Sequence, residues 1–185
     1  MNYPNKIKKN NNKFITYANR GMTLEELVNK TNDYYIETDQ AIIYKKPTPI
    51  GIVKADYKNI TKAYFKAPST LDYNGIYKGC YIEFDAKETK QKTSFPLKNI
   101  HDHQLVHMRR IINHGGICFL IILMNNEIYY LDGNDLFSFI DSEKRKSIPF
   151  SYFEEKAILL KENYLKGINY LEAIDKIYKG EKYEN

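Results

Sequence analysis

Several common protein classes are excluded by what this chain has little of. It carries two cysteines, Cys80 and Cys118, in 185 residues. Both lie in apolar, strand-like segments and are too few for a disulfide framework, so a reducing compartment, the cytoplasm, is the expectation. No apolar stretch near the N-terminus reads as a secretory signal. The longest apolar run, Ile117 to Met124, is far shorter than the ~20 residues a membrane-spanning helix needs, and no membrane role is expected. The nine glycines form neither a phosphate-binding loop nor a dinucleotide fingerprint, and no nucleophile-elbow motif or internal repeat is present. Charge of one sign is also scarce in the body of the chain. The net charge is +5, yet the first 13 residues hold four lysines and no acid, leaving only about +1 for the rest. Overall basicity therefore does not make this a nucleic-acid protein, and any polyanion has to be met by local patches.

What is present suits a globular domain. A hydrophobic content of 43% with 14% aromatics can build a core. The expected organisation is a basic tail over 1–13, one domain over 14–178 and a short C-terminal tail over 179–185. Thr23 and Glu26 have capping-box spacing, with Leu24, Leu27, Val28, Thr31 and Tyr35 on a helical stripe behind them. A strand follows from Ala41. The stretch from about 46 to 67 is rich in lysine, tyrosine and proline. It reads either as a nucleic-acid-facing arm or as a plain lysine-rich loop. Later elements are a helix capped by Asn99 and running to about Asn113, the buried strand Ile117–Met124, and a turn at Asn125-Asn126 into EIYYLD. A short helix from Asp135, a possible capping box at Ser151 and Glu154, and a closing helix from about Asn169 to Tyr178 complete the chain. This order predicts an α/β fold, a mixed central sheet flanked by helices with an arm protruding between early strands.

The segment Thr70 to Glu88 is the most informative. With a two-residue turn at Lys78-Gly79 it forms a hairpin in which Tyr77 faces Cys80, Asp72 faces Asp85, and Thr70 faces Lys87. Period-two alternation then projects Thr70, Asp72, Asp85 and Lys87 from one face and gives Leu71, Tyr73, Tyr77, Ile82, Phe84 and Ala86 to a core. A rival register turning at Asn74-Gly75 scatters the acids and is less consistent about which face is buried. Two facing carboxylates repel unless a cation neutralises them, and a nearby lysine suits a phosphate. The face reads as a metal-assisted phosphodiester-hydrolysis site or as a wet polar surface. His103 and His107 have a spacing that can hold zinc, but the companion Glu of the zincin motif is missing, and surface histidines are the better account.

The blocks NRGMTLEELVNKTNDYY, AIIYKKPTPI, the long run from AYFKAPSTLDYNG to HDHQLVHM, GGICFLII and RKSIP, in that order, resemble the RecU family of Holliday junction resolvases. The resemblance implies a restriction-endonuclease-like, PD-(D/E)xK-type nuclease that is homodimeric and Mg²⁺-dependent, with Mn²⁺ as a substitute. It also implies resolution of four-way DNA junctions by paired nicks, and partners among recombinase and branch-migration proteins. By position, the family's metal-site residues fall on Thr70, Asp72, Asp85 and Gln104, and its catalytic lysine on Lys87. Glu25 matches an accessory acid of the wider fold group. Arg20, Lys45 and Lys46 match DNA-holding positions, and Lys54 and Lys66, on the arm, are further DNA-binding candidates. Two departures stand out. The family usually carries Glu where this chain has Asp85, a difference of about 1.5 Å in reach. The stretch between Val53 and Ala63 is shorter than the family's, which bears on junction selectivity before it bears on chemistry. A nuclease tolerant of other branched DNA, and a junction-bridging protein with weakened catalysis, remain as alternatives.

Overall fold

The structure, a computed structural model, describes residues 22–57, 59–66 and 70–178. Helix α1 (Leu24–Glu37) starts at the expected capping box: Glu26 N–H donates to the Thr23 hydroxyl at 3.2 Å, and Thr23 N–H donates to the Glu26 carboxylate at 2.7 Å. Then come β1 (Ile42–Lys45), β2 (Ile50–Asp56), β3 (Asn59–Phe65), β4 (Tyr73–Tyr77), β5 (Cys80–Glu88), β6 (Ser94–Pro96) and α2 (Asp102–Asn113). After α2 the chain forms β7 (Ile117–Met124), β8 (Glu127–Asp132), α3 (Gly133–Ser142), β9 (Ser147–Pro149) and α4 (Phe150–Lys156). It closes with β10 (Ile158–Leu160), β11 (Glu162–Asn163), β12 (Gly167–Ile168) and α5 (Tyr170–Tyr178).

Six strands form one mixed sheet in the order β1-β4-β5-β7-β8-β10. Only β5 and β7 run parallel, and α2 lies within the crossover between them, as a parallel pair requires. Strand β7 is buried along almost its whole length because both faces of the sheet are covered. Phe119 and Ile121 pack with α1 and α5, whereas Cys118, Leu120 and Ile122 pack with α2, α3 and α4. Strands β2 and β3 pair only with each other. Their side chains are exposed almost throughout, so the arm is a ribbon standing clear of both layers.

The hairpin has the expected register, from Tyr73↔Phe84 to Tyr77↔Cys80, with Lys78 and Gly79 both at positive φ in the turn. One expectation fails at its open end. Leu71 packs in the α2-side cluster and not beside Tyr73, because the chain bends at Asp72 before β4 begins and alternation stops there. Helix starts also differ. Residues 97–99 make a 3-10 turn, so α2 begins after His101 and not at Asn99. Asp132, the last residue of β8, caps α3 through Asn134 N–H. Helix α4 begins directly after Pro149, which puts Ser151 inside the helix and leaves the anticipated Ser151–Glu154 box unformed.

Gly75, the glycine of the rejected turn, sits mid-strand opposite Ile43. A Cβ there would lie 2.0 Å from the Ile42 carbonyl oxygen and 2.6 Å from Ile43 Cα, so β1 can approach β4 only over a glycine. Gly75→Ala is expected to cost about 1–3 kcal/mol through forced displacement of β1, read as a lowered melting temperature. An unchanged melting temperature would refute that packing.

Candidate active site

On β5, residues 82, 84 and 86 face α1 and α5, while Glu83, Asp85 and Lys87 face α2. Their parallel neighbours on β7 are Cys118, Leu120 and Ile122, all apolar. Three ionisable groups thus enter a layer that is otherwise hydrocarbon, where each needs a partner.

Asp85 is fully buried. Its Oδ2 accepts a 2.7 Å hydrogen bond from Gln104 Nε2 and lies 2.8 Å from the Lys87 ammonium. Its Oδ1 is buried and accepts no hydrogen bond. The Asp85 carboxyl is raised to about 6, by burial first and by the neighbouring Asp72 carboxylate, against the opposing pull of Lys87. Asp72 thus lies close enough to act on Asp85, although strand pairing ends one residue before it at Tyr73↔Phe84. A buried carboxylate oxygen without a donor, beside a second carboxylate, is an oxygen pair suited to a hard divalent cation.

Gln104 is the hinge of the second wall. Its Nε2 also donates to the Thr70 carbonyl at 2.9 Å, and its Oε1 accepts the His101 N–H at 3.2 Å. The side chain therefore orients Asp85 and turns its own oxygen toward the start of α2. The Thr70 hydroxyl is likewise occupied, donating to Glu83 Oε1 at 3.2 Å and accepting from Lys46 Nζ at 2.5 Å. That leaves Asp72 and Asp85 as the two carboxylates that could hold a cation.

Glu25 lies with Asp72 on the wall of an open cleft of about 500 Å³ that also includes Thr23, Tyr73, Ala86 and Glu88. Glu88 accepts the Leu24 N–H at 3.0 Å and so joins the start of α1 to the end of β5. Lys45 pairs with Glu25 at the surface. Lys46 turns inward: its ammonium pairs with Glu83, and its N–H donates to the Asp72 carbonyl at 2.7 Å. Lys54 stands opposite Lys62 on the exposed ribbon, and Lys66 N–H bonds the Pro49 carbonyl at its base. Arg20 lies outside the described residues. His101 and His103 stack on each other while His107 reaches Glu83, so the histidines divide between two environments. Among the described residues no group of three or more His, Cys, Asp or Glu is placed to hold a metal.

Residues 19–176 match the family model described as Recombination protein U, RecU. This chain belongs to the RecU family. It is 47% identical to the Holliday junction resolvase RecU of Oceanobacillus iheyensis, over 96% of this chain and all of that protein. It is 50% identical to the protein of that name from a Geobacillus species, over 88% of this chain and 86% of the other. For the Streptococcus gordonii protein, identity is 44% over 95% of both. The solved Archaeoglobus fulgidus Hjc, a Holliday junction resolvase, covers 67% of this chain and 88% of its own at 11% identity and a TM-score of 0.38, too slight a likeness to bear on the site.

Glu83 is the residue that motif reading passes over. Its side chain is 2% exposed, and it is bound by Lys46, Thr70, Tyr81 and His107. Burial would raise its carboxyl, but hydrogen bonds from Lys46 and Tyr81 and the charges of Lys46 and His107 outweigh this and hold it below the usual carboxylate value. The available signal was its position two residues before Asp85, on the same face of the same strand.

The acid pair carries a stability cost that a single substitution relieves. In chelator-treated protein at pH 7–8, Asp72→Asn is expected to raise the melting temperature by about 2–4 °C, the shift that roughly 1 kcal/mol gives a chain of this size. The Asp85 carboxyl is raised in the folded state, so its cost applies above about pH 6 and is relieved as it protonates. The gain should therefore shrink by pH 5. Calorimetry at the two pH values reads both effects, and a lowered melting temperature at pH 8 would contradict the facing-acid geometry.

Proposed function

We propose that this RecU-family chain is a divalent-metal-dependent endonuclease that resolves four-way DNA junctions by paired, symmetric nicks during recombination and repair. The observation that carries the reading is Asp85: a buried carboxylate with one undonated oxygen, faced by Asp72 and followed two residues later by Lys87. The family's resolvase members supply the substrate class.

Asp72 and Asp85 would hold the cation, Mg²⁺ in the first instance with Mn²⁺ as a substitute. When bound, it supplies Lewis-acid polarisation of the scissile phosphate and lowers the pKa of attacking water. Gln104 fixes the Asp85 carboxylate by donating to Oδ2. Lys87, with a side chain 18% exposed, reaches the surface beside Asp85 and can place its charge against a phosphate oxygen as negative charge builds there. Glu25 stands across the cleft as an accessory acid. Lys45 and the ribbon lysines Lys54 and Lys66 are exposed cations for backbone phosphates, whereas Lys46 acts inside the fold. A homodimer would set two such sites on like strands of a junction with the same approximate two-fold symmetry. Recombinase and branch-migration proteins in the cytoplasm are the partners this role calls for.

The test is cleavage of a synthetic mobile four-way junction in Mg²⁺ and in Mn²⁺, beside linear duplex and forked DNA at matched salt. Paired cuts in the junction are expected. Asp72→Asn and Lys87→Ala should each lose about 10²-fold or more in single-turnover rate while still binding the junction in chelator. Binding without cleavage in either metal would defeat the nuclease reading, and equal cutting of fork, duplex and junction would replace it with a less selective branched-DNA nuclease. Phosphate contacts by Lys45, Lys54 and Lys66 of both protomers, six in all, further predict a junction affinity that falls by about 10³-fold between 50 and 200 mM salt. Charge reversal of all three should flatten that dependence in a filter-binding titration, and an unaltered slope would remove these lysines from the interface.

A further inference from the structure

The arm leaves the domain through Lys46 and returns through Thr70, and both roots end on the same buried carboxylate. Lys46 Nζ binds Glu83 and the Thr70 hydroxyl, and that hydroxyl donates to Glu83 Oε1 at 3.2 Å. Glu83 Oε1 also meets His107 Nε2 of α2 at 2.9 Å, and Oε2 accepts from the Tyr81 hydroxyl at 2.6 Å. Asp72, one of the two facing acids, precedes regular strand pairing: β4 starts at Tyr73, and the register ends there. Its backbone is held by Lys46, which donates to the Asp72 carbonyl at 2.7 Å. The other acid is tied into the same circuit, since Gln104 bridges the Thr70 carbonyl and Asp85 Oδ2 at 2.9 and 2.7 Å.

We propose that Glu83 is a positioning residue for cleavage: by clamping Lys46 and Thr70 to the strand that carries Asp85 and Lys87, it fixes Asp72 against Asp85 and makes that separation depend on how the arm sits. This rests on the nuclease reading above but concerns a residue outside the metal ligands and the phosphate contacts. Its logic is that of an outer layer around a metal site. A ligand placed at the end of regular pairing, held on one side by a single backbone bond, takes the rest of its geometry from the groups beneath it. A carboxylate serves better here than an amide, because one group must accept from an ammonium, two hydroxyls and an imidazole at once.

The experiment uses full-length protein and Mn²⁺ as the probe. Glu83→Gln keeps the shape and removes the charge. Mn²⁺ affinity, measured calorimetrically on DNA-free protein, should fall about 10- to 100-fold. The Mn²⁺ concentration for half-maximal single-turnover junction cleavage should rise in step, with a smaller loss of rate at saturating metal. Glu83→Gln leaves the Lys46 ammonium half-buried without its carboxylate, so the double variant Glu83→Gln/Lys46→Met separates positioning from stability. It should regain melting temperature without regaining Mn²⁺ affinity. Parental Mn²⁺ affinity in folded Glu83→Gln would overturn the proposal, as would recovery of affinity together with stability in the double variant. If Glu83→Gln does not fold, the double variant alone decides: weakened Mn²⁺ binding supports the proposal and unweakened binding overturns it. Failure of the parent to cut any junction would instead count against the nuclease reading, and the Mn²⁺ titrations would still score Glu83.

Discussion

The interaction on which the rest depends is the burial of Glu83 and Asp85, with Lys87 half-buried beside them, on one face of a strand in the middle of the sheet. An ionised group taken out of water is costly unless paired and hydrogen-bonded, so this face dictates what has to surround it. Gln104 and His107 project from α2 to meet it, Lys46 and Thr70 arrive from the two ends of the arm, and Lys87 closes back on Asp85. Both oxygens of Glu83 and Oδ2 of Asp85 are met by donors, and Asp85 Oδ1 is not. The site is in this sense what remains after the strand's other polar demands have been met by protein groups.

The opposite face explains how the cost is carried. Tyr73, Phe84, Phe119, Tyr130 and Tyr170 form a run of stacked and tilted rings between the sheet and α5, with centroid separations of 4.5 to 5.1 Å along the contacts joining them. Such rings bury large areas and pack in restricted geometries, which holds β4, β5 and β7 rigidly from behind. The same strands that bear the charged face are thus pinned by the least polar part of the molecule, as precise placement of an acid pair requires.

Legibility from sequence followed how local each determinant is. The Thr23–Glu26 box, the Lys78-Gly79 turn and the Ile117–Met124 strand depend on residues close in sequence, and each appears as read. Asp72 comes beside Asp85 although the pairing that runs from the turn stops one residue short of it, at Tyr73↔Phe84. Leu71 escaped because propagation ends at a bend set by tertiary contacts. The caps of α2 and α3 moved because neighbouring elements supplied a competing start, a 3-10 turn in one case and the end of β8 in the other. The short β6–β9 pair could not be read from either strand alone, since its partners are about fifty residues apart. For Glu83 and Lys46 the residues were visible and their roles were not. A lysine beside prolines in a basic stretch looks like a surface cation, and only the folded chain shows the buried carboxylate it answers.

The ribbon has a mechanical side. Two paired strands of seven residues each extend about 23 Å at the rise of an extended chain. Anchored at both roots and free along its length, such an element is a lever whose short end is a few ångströms of hydrogen bonds and whose long end is many times that. A sideways load at the tip bears on the outgoing root at Lys46, and among the described residues no strand of the main sheet pairs with the ribbon. The geometry therefore favours transmission along one line, from tip to root, over deformation of the domain as a whole.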